Sequence, residues 1–480
     1  MKTKQKSRLA ILLAALIASS ALASCGDSGT PAVTTSATDN TKADTTTEAE
    51  TGPVYKKPDK DFSGRNLNIL IWTDSRFPIE EETGDVINDA IHKRDVKVSE
   101  RLGVTFEFIA LDDRNEVASR VQKTVLADDP AYEMAITAMS QGINTMISAG
   151  VLLDLGDLPY VTLDGGLWDR SIHDRMTFGG RQYFTTGVIS AQFSQSPVAC
   201  LFNKRLAGEY GIDDVYQTVL DGKWTIDLLS EYMKRSSHDL DGNGTMDVND
   251  FYGFSLDPVF GNVLYASAGY DPITEKDGVF SVDLSDARMT EIIEKCAGIF
   301  GNPDVTYHNK FSDGSSLLVF RESRSIFTTC DMLDVQKFRD MADDFGIIPT
   351  PKFDESQVSY YTRAATGTTV FAVAATADTE IAAAVLEAMG SESYRTVIPT
   401  YYEVALKVKY TSDDKSAQVL DMIKANVKVD FASVFAAALS GPTDRFRENI
   451  AANNPDWIST CAGIKDKTLT LLDDVLKVYE

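Results

Sequence analysis

From Phe62 onward, short apolar runs bounded by turn residues alternate with stretches of helical spacing, the pattern of an α/β protein. Asn66-Leu67-Asn68-Ile69-Leu70-Ile71-Trp72 reads as a buried first strand, and Val86 to Leu102 as an amphipathic helix. Val104 to Ile109 is a second strand, and Val117 to Leu126 a helix that Asp128-Asp129-Pro130 ends; Glu133 to Ala138 is a third strand. Strands joined by crossover-length helices imply a parallel sheet, whose ligands sit beyond the carboxyl ends of its strands. Trp72-Thr73-Asp74 and Met139-Ser140-Gln141 occupy those ends.

The same spacing predicts strands at Val198–Phe202, Phe251–Leu256, Ser325–Thr329 and Phe345–Ile348, and helices at Ile226–Arg235, with Thr225 as N-cap, and Met289–Phe300. Thr369–Ala374 followed by Ile381–Met389 repeats strand-then-helix, and the last hundred residues are largely helical. No repeat at solenoid or propeller periods appears. With 480 residues the chain exceeds what one core fills, so two α/β lobes are expected.

The opening residues differ in kind. Lys2, Lys4, Lys6 and Arg8 precede an apolar run from Leu9 to Ala18, too short to span a bilayer and read as a secretion signal. Leu22-Ala23-Ser24-Cys25-Gly26 resembles the lipobox of bacterial lipoproteins, which implies cleavage after residue 24 and lipidation of Cys25. Residues 25–60 are Thr, Ser, Ala, Asp and Glu with few large apolar side chains, a disordered tether. The expected product is anchored to the cell membrane on its extracellular face, and does not span it. A net charge of −25 repels a phosphate backbone and excludes nucleic-acid binding.

Several body segments together resemble the sugar-binding branch of the extracellular solute-binding proteins of bacterial ABC importers. These are Trp72 closing the first strand, Gly150-Val151-Leu152-Leu153-Asp154-Leu155, Leu201-Phe202-Asn203-Lys204, Lys223-Trp224-Thr225-Ile226-Asp227-Leu228-Leu229, and Phe345-Gly346-Ile347-Ile348-Pro349-Thr350-Pro351. Phe202 stands where that family usually has Tyr. The resemblance implies a two-lobed periplasmic-binding-protein fold of the type II kind with a hinge and an interlobe cleft. Lobe 1 would hold residues 61–189 and 362–398, and lobe 2 residues 190–361 and 399–480. It further implies a monomer that captures a carbohydrate without altering it and delivers it to ABC permease subunits. A surface-tethered carbohydrate-active enzyme or adhesin is the alternative.

A sugar needs planar side chains with paired hydrogen-bonding atoms, and aromatic faces for its apolar ring surfaces. Trp72, Asp74, Arg76, Met139 and Gln141 lie at the strand ends of lobe 1. By the resemblance, Tyr183, Phe184, Tyr270, Asp331 and Tyr361 complete the cleft. Replacing Trp72 or Asp74 by alanine is expected to weaken sugar affinity without unfolding the protein.

Asp239-Leu240-Asp241-Gly242-Asn243-Gly244-Thr245-Met246-Asp247-Val248-Asn249-Asp250 matches the twelve-residue calcium loop of EF-hands and dockerins. Side chains of Asp239, Asp241, Asn243, Asp247 and Asp250 and the carbonyl of Thr245 would bind Ca²⁺, while Gly244 permits the sharp turn. Position twelve is Asp instead of Glu, and a strand follows in place of the second helix, so a structural site is expected and not a switching sensor. Cys200, Cys296, Cys330 and Cys461 permit three disulfide pairings or none. No zinc, Ser-nucleophile or phosphate-loop motif appears, and no enzyme activity is expected.

Overall fold

Hydrophobic periodicity places the strands closely. In the computed structural model they are β1 (Arg65–Trp72), β2 (Val104–Leu111), β3 (Met134–Ala138), β4 (Val198–Asn203), β5 (Tyr252–Leu256), β6 (Ile273–Lys276), β7 (Val279–Val282), β8 (Thr306–His308), β9 (Ser325–Asp331), β10 (Phe345–Ile348), β11 (Thr362–Arg363), β12 (Thr369–Val373) and β13 (Val427–Lys428). The structure describes residues 53, 56, 58, 60–73, 77–276, 278–308, 314–402 and 414–479. The signal segment, Cys25, most of the tether, Asp74 and Arg76 therefore lie outside the described residues. Among the described residues, no helix is long and apolar enough to cross a membrane.

One half is built on a four-stranded sheet of order β12-β3-β1-β2. β1 pairs in parallel with both β2 and β3, as the crossover helices dictate. The helix Val86–Leu102 starts on an Asp85 side-chain cap and stops at Gly103, whose φ of 65° is left-handed and whose Cβ position would meet Asp61. β12 runs antiparallel to β3, contrary to an all-parallel expectation, because its chain re-enters this half at the carboxyl edge and must run back. The apolar helix Thr379–Arg395 then covers one face of the sheet, buried from Ile381 through Met389.

The other half is built on a five-stranded sheet of order β10-β4-β9-β5-β8. β5 is parallel to β8 and β9, while β4 is antiparallel to β9 and to β10. Thr225 caps the helix Ile226–Ser236 as its sequence position predicts, accepting the Leu228 N–H at 3.2 Å. The β6–β7 hairpin and the short pairing of β11 with β13 carry too few residues to show a period of two, and the sequence pattern misses them. Cys200, Cys296, Cys330 and Cys461 are free and buried, and burial pushes the Cys296 thiol up to about 12 against the opposing pull of Lys295. They behave as small apolar residues.

Candidate functional site

The sheet registers fix where a solute can sit. Trp72, Leu111 and Ala138 end the parallel strands of lobe 1, and the antiparallel pairing of Thr369 with Ala138 puts the start of β12 at that edge. In lobe 2 the pairing of Asp331 with Val198 puts the carboxyl end of β9 beside the start of β4. The segments entering and leaving lobe 2 run side by side between these edges. Pro197 bridges Ala364, and the Ala365 N–H donates to Ser196 O at 2.8 Å. The Thr362 hydroxyl donates to Val198 O. On the lobe 1 side, the Met139 N–H donates to Thr368 O at 2.8 Å and the Ser140 N–H to Thr366 O at 2.9 Å. The carboxyl edges of both sheets thus flank one strip, residues 362–369, where α/β sheets place ligands.

Trp72 is only 6% exposed and packs into the core, with the Arg114 guanidinium 4.9 Å over its ring. Removing the indole would cost about 3–5 kcal/mol of stability by cavity formation, so Trp72→Ala cannot leave the fold untouched as the sequence suggests. Gln141 is exposed just past β3, its carbonyl accepting the Thr137 hydroxyl at 3.1 Å and its side chain facing solvent. Met139 and Phe184 are fully buried, and their side chains pack in the core without surface to offer a solute.

The remaining candidates do not share one place. Tyr361 is half-buried with the Lys428 ammonium 3.4 Å from its ring centroid, and its ring edge lies against Gly269, next to Tyr270. Tyr270 donates its hydroxyl to Asp283 O at 2.5 Å. Asp331 closes β9 and accepts the Asp334 N–H at 3.0 Å. Tyr183 lies elsewhere, against Tyr479, with its hydroxyl donating to Val478 O at 3.3 Å. Tyr270 and Tyr361 therefore lie together, and Tyr183 lies apart from them.

The sequence reading misses Arg114, Arg363, Thr366 and Gly367. Arg114 is the first helical residue after β2, behind the Asp113 cap, so the strand-end rule had the means to find it. The strip 362–369 has no periodic pattern, and only its register exposes it. Gln122, Asn144, Thr145, Ser148 and Ala149 of lobe 1, together with Ala437 and Ala438, line a recess of about 450 Å³. That volume lies within the roughly 300–1,000 Å³ of small-molecule sites, and its lining offers amides and hydroxyls.

The predicted metal loop folds as a chain of side-chain-to-backbone turns. Asp239 accepts the N–H groups of Gly242 at 2.6 Å and Gly244 at 2.7 Å. Asp241 accepts Asn243 N–H at 3.0 Å, and Asn243 accepts Thr245 N–H at 2.7 Å. Buried Asp250 reaches back to the Leu240 N–H at 2.8 Å and the Asp247 N–H at 2.7 Å. Oxygens of Asp239, Asp241 and Asp250 all lie within 4.8 Å of one another. The Gly244 N–H holds the Asp239 carboxyl below the usual range, so it stays ionised. This all-oxygen donor set fits a hard cation such as Ca²⁺. The loop base is closed by paired backbone bonds between His238 and Phe251, directly ahead of β5.

No protein-family model matches the sequence, and no curated protein matches it. Solved structures do match. The galacto-N-biose-/lacto-N-biose I-binding protein of the ABC transporter from Bifidobacterium longum, in complex with lacto-N-biose, is similar with a TM-score of 0.58 at 13% identity, over 87% of this chain and 99% of that one. A cyclo/maltodextrin-binding protein complexed with maltotetraose gives 0.57 at 12% identity, over 87% and 98%. The GacH receptor of Streptomyces glaucescens, solved unliganded and with acarbose, gives 0.56 at 14%, over 87% and 100%. At these identities the likeness shows the fold, a two-lobed α/β binding-protein architecture.

Proposed function

We propose that this chain is an extracellular solute-binding protein that captures a carbohydrate between its lobes and passes it, chemically unaltered, to an ABC permease. The observation that carries this reading is the convergence of both sheets' carboxyl edges on the strip 362–369, with Trp72, Arg114 and Gln141 at the lobe 1 rim. A ligand touching both rims gains its full contacts only when the lobes close, so binding and closure are one equilibrium. The solved structures similar to this chain carry sugar-binding names, which agrees with the chemistry of the rim.

The reading includes a lipid anchor at Cys25 and a monomeric body held near its permease on the extracellular face of the cell membrane. The tether would keep the body within reach of that partner at high local concentration. A thermal-shift screen against mono- and oligosaccharides tests the core of it, since a ligand of the folded form raises the melting temperature. Gln141→Ala is the cleanest rim variant, because its side chain is exposed. Losing one hydrogen bond there should weaken binding of the sugar found by about fivefold to tenfold, with the melting temperature of the free protein unchanged. Equal affinities for variant and parent by calorimetry would remove Gln141 from the cleft.

The loop Asp239–Asp250 is proposed to hold a structural Ca²⁺ that neutralises its clustered carboxylates and pins the entry to β5. At calcium a hundredfold above its dissociation constant the ion would add about 2.7 kcal/mol, or roughly 3 °C in melting temperature for a body of this size. Chelation should remove that increment, and added calcium should restore it. Asp239→Asn with Asp241→Asn should melt at the chelated temperature with or without calcium. An unchanged melting temperature on chelation of the parent protein would dismiss the site.

A further inference from the structure

The strip between the sheets carries charge that the chain does not balance. The protein has a net charge of −25, yet the Arg363 guanidinium, 5% exposed, leaves its Nε and Nη1 donors without a hydrogen-bond partner among the described residues. Its Nη2 makes a long contact, 3.5 Å, to the Thr366 hydroxyl. The buried Thr368 hydroxyl, two residues on, also lacks a partner among the described residues. A second guanidinium approaches the same turn from lobe 1, since a Cβ added at Gly367 would lie 3.8 Å from Arg114 Nη1. Thr366 and Gly367 therefore sit between two arginines at the point where the rims meet.

The nearby carboxylates are engaged otherwise. Asp113 caps its helix through the Asn115 N–H at 2.8 Å, and Asp112 accepts the Thr73 hydroxyl at 3.2 Å. Asp430 accepts the Tyr265 hydroxyl at 3.2 Å and the Ser433 N–H at 2.9 Å. Asp271 closes on Arg175 at 2.7 Å. Lys428, the register partner of Arg363 on β13, points its ammonium at the Tyr361 ring and not at an acid. A buried guanidinium without an acceptor is costly, and a fork of free N–H donors is complementary to the oxygens of a carboxylate or phosphate.

We propose that the solute bears an oxyanion and that Arg363, with Arg114, receives it at the Thr366–Gly367 turn, making the cargo an acidic sugar such as a uronate or a sugar phosphate. This rests on the interlobe cleft proposed above. Neutral hydroxyls would satisfy these donors only one at a time, whereas an oxyanion takes several together and cancels the charge. Arg363 is then the residue that selects acidic over neutral cargo.

The test is calorimetry with a uronate-terminated disaccharide, its neutral counterpart, a hexose phosphate and inorganic phosphate. The uronate or the hexose phosphate, whichever supplies the anion, should bind about tenfold or more tighter than the neutral sugar, as a charge-assisted bond in a buried site requires. Arg363→Gln should erase that preference, and Arg363→Lys, which keeps the charge but not the fork, should retain only part of it. Should Arg363→Gln fail to fold, the parent protein's acidic-to-neutral ratio decides alone. Neutral sugar binding as tightly as both acidic probes overturns the proposal and leaves the carbohydrate reading standing. Inorganic phosphate binding in an Arg363-dependent way while every sugar fails keeps the anion site and overturns the carbohydrate reading. Failure of all four probes overturns both.

Discussion

Arg94→Met is expected to destabilise the protein by about 3–5 kcal/mol, the effect of removing one partner from a buried ion pair. The Arg94 side chain is completely buried in the helix Val86–Leu102, with Nε donating to Asp95 at 2.7 Å. Its Nη1 donates to Ile189 O at 2.8 Å and to the Ser393 hydroxyl at 3.0 Å, and the guanidinium lies 4.7 Å over the Phe77 ring. One side chain thus ties the first long helix to the helix Thr379–Arg395 and to the chain just before it enters lobe 2. Burial raises the Asp95 carboxyl above its usual range, and Arg94 pulls it back down. Without Arg94 nothing comparable opposes the burial. Pairing Arg94→Met with Asp95→Leu should recover much of the loss, because removing both charges also removes their desolvation cost. Denaturant titration measures both variants, and a double variant no more stable than the single one would contradict this role for the pair.

Glu387 should make stability fall with rising pH. It is fully buried, with the Thr162 N–H donating to its Oε2 at 3.4 Å. Burial pushes its carboxyl from 4.5 up to about 7, against the pull of the Thr162 N–H. A folded-state value above the unfolded one means the protonated form is favoured on folding. The contribution is whole below about pH 4.5 and is lost as pH rises through about 7. At about 1.36 kcal/mol per pH unit the span is worth about 3 kcal/mol. Glu387→Gln should therefore be more stable than the parent protein near pH 8 and nearly equal to it near pH 4. Melting temperatures of the two proteins across that range check it; parallel curves would show that Glu387 does not titrate on folding.

Most of the fold was legible because its strands and helices carry full-length periods. Asn66–Trp72 and Val86–Leu102 fall within a residue of the observed elements, since each buries one continuous face or stripe. The cleft was less legible. Its floor is made of crossover residues with no period, so Arg363 and Thr366 become visible only when the register of β11 with β13 and the Ser140–Thr366 bond bring them to the strand ends. Strand-end logic marks Trp72, Gln141 and Met139 alike, although Trp72 and Met139 are buried and Gln141 is exposed, because it gives a position along the strand and not the direction of a side chain. The loop Asp239–Asp250 was readable entire, as its turns are made by residues within a few positions of each other. Long-range partners leave no such local trace.

Calorimetric titration of the calcium-loaded body with oligosaccharides, followed by chromatography of the recovered sugar, addresses the central claim most directly. The account predicts saturable binding of one sugar per chain, accompanied by lobe closure and release of the same sugar unchanged. Product sugars in the eluate, or a body that saturates with no carbohydrate of either neutral or acidic kind, would contradict it.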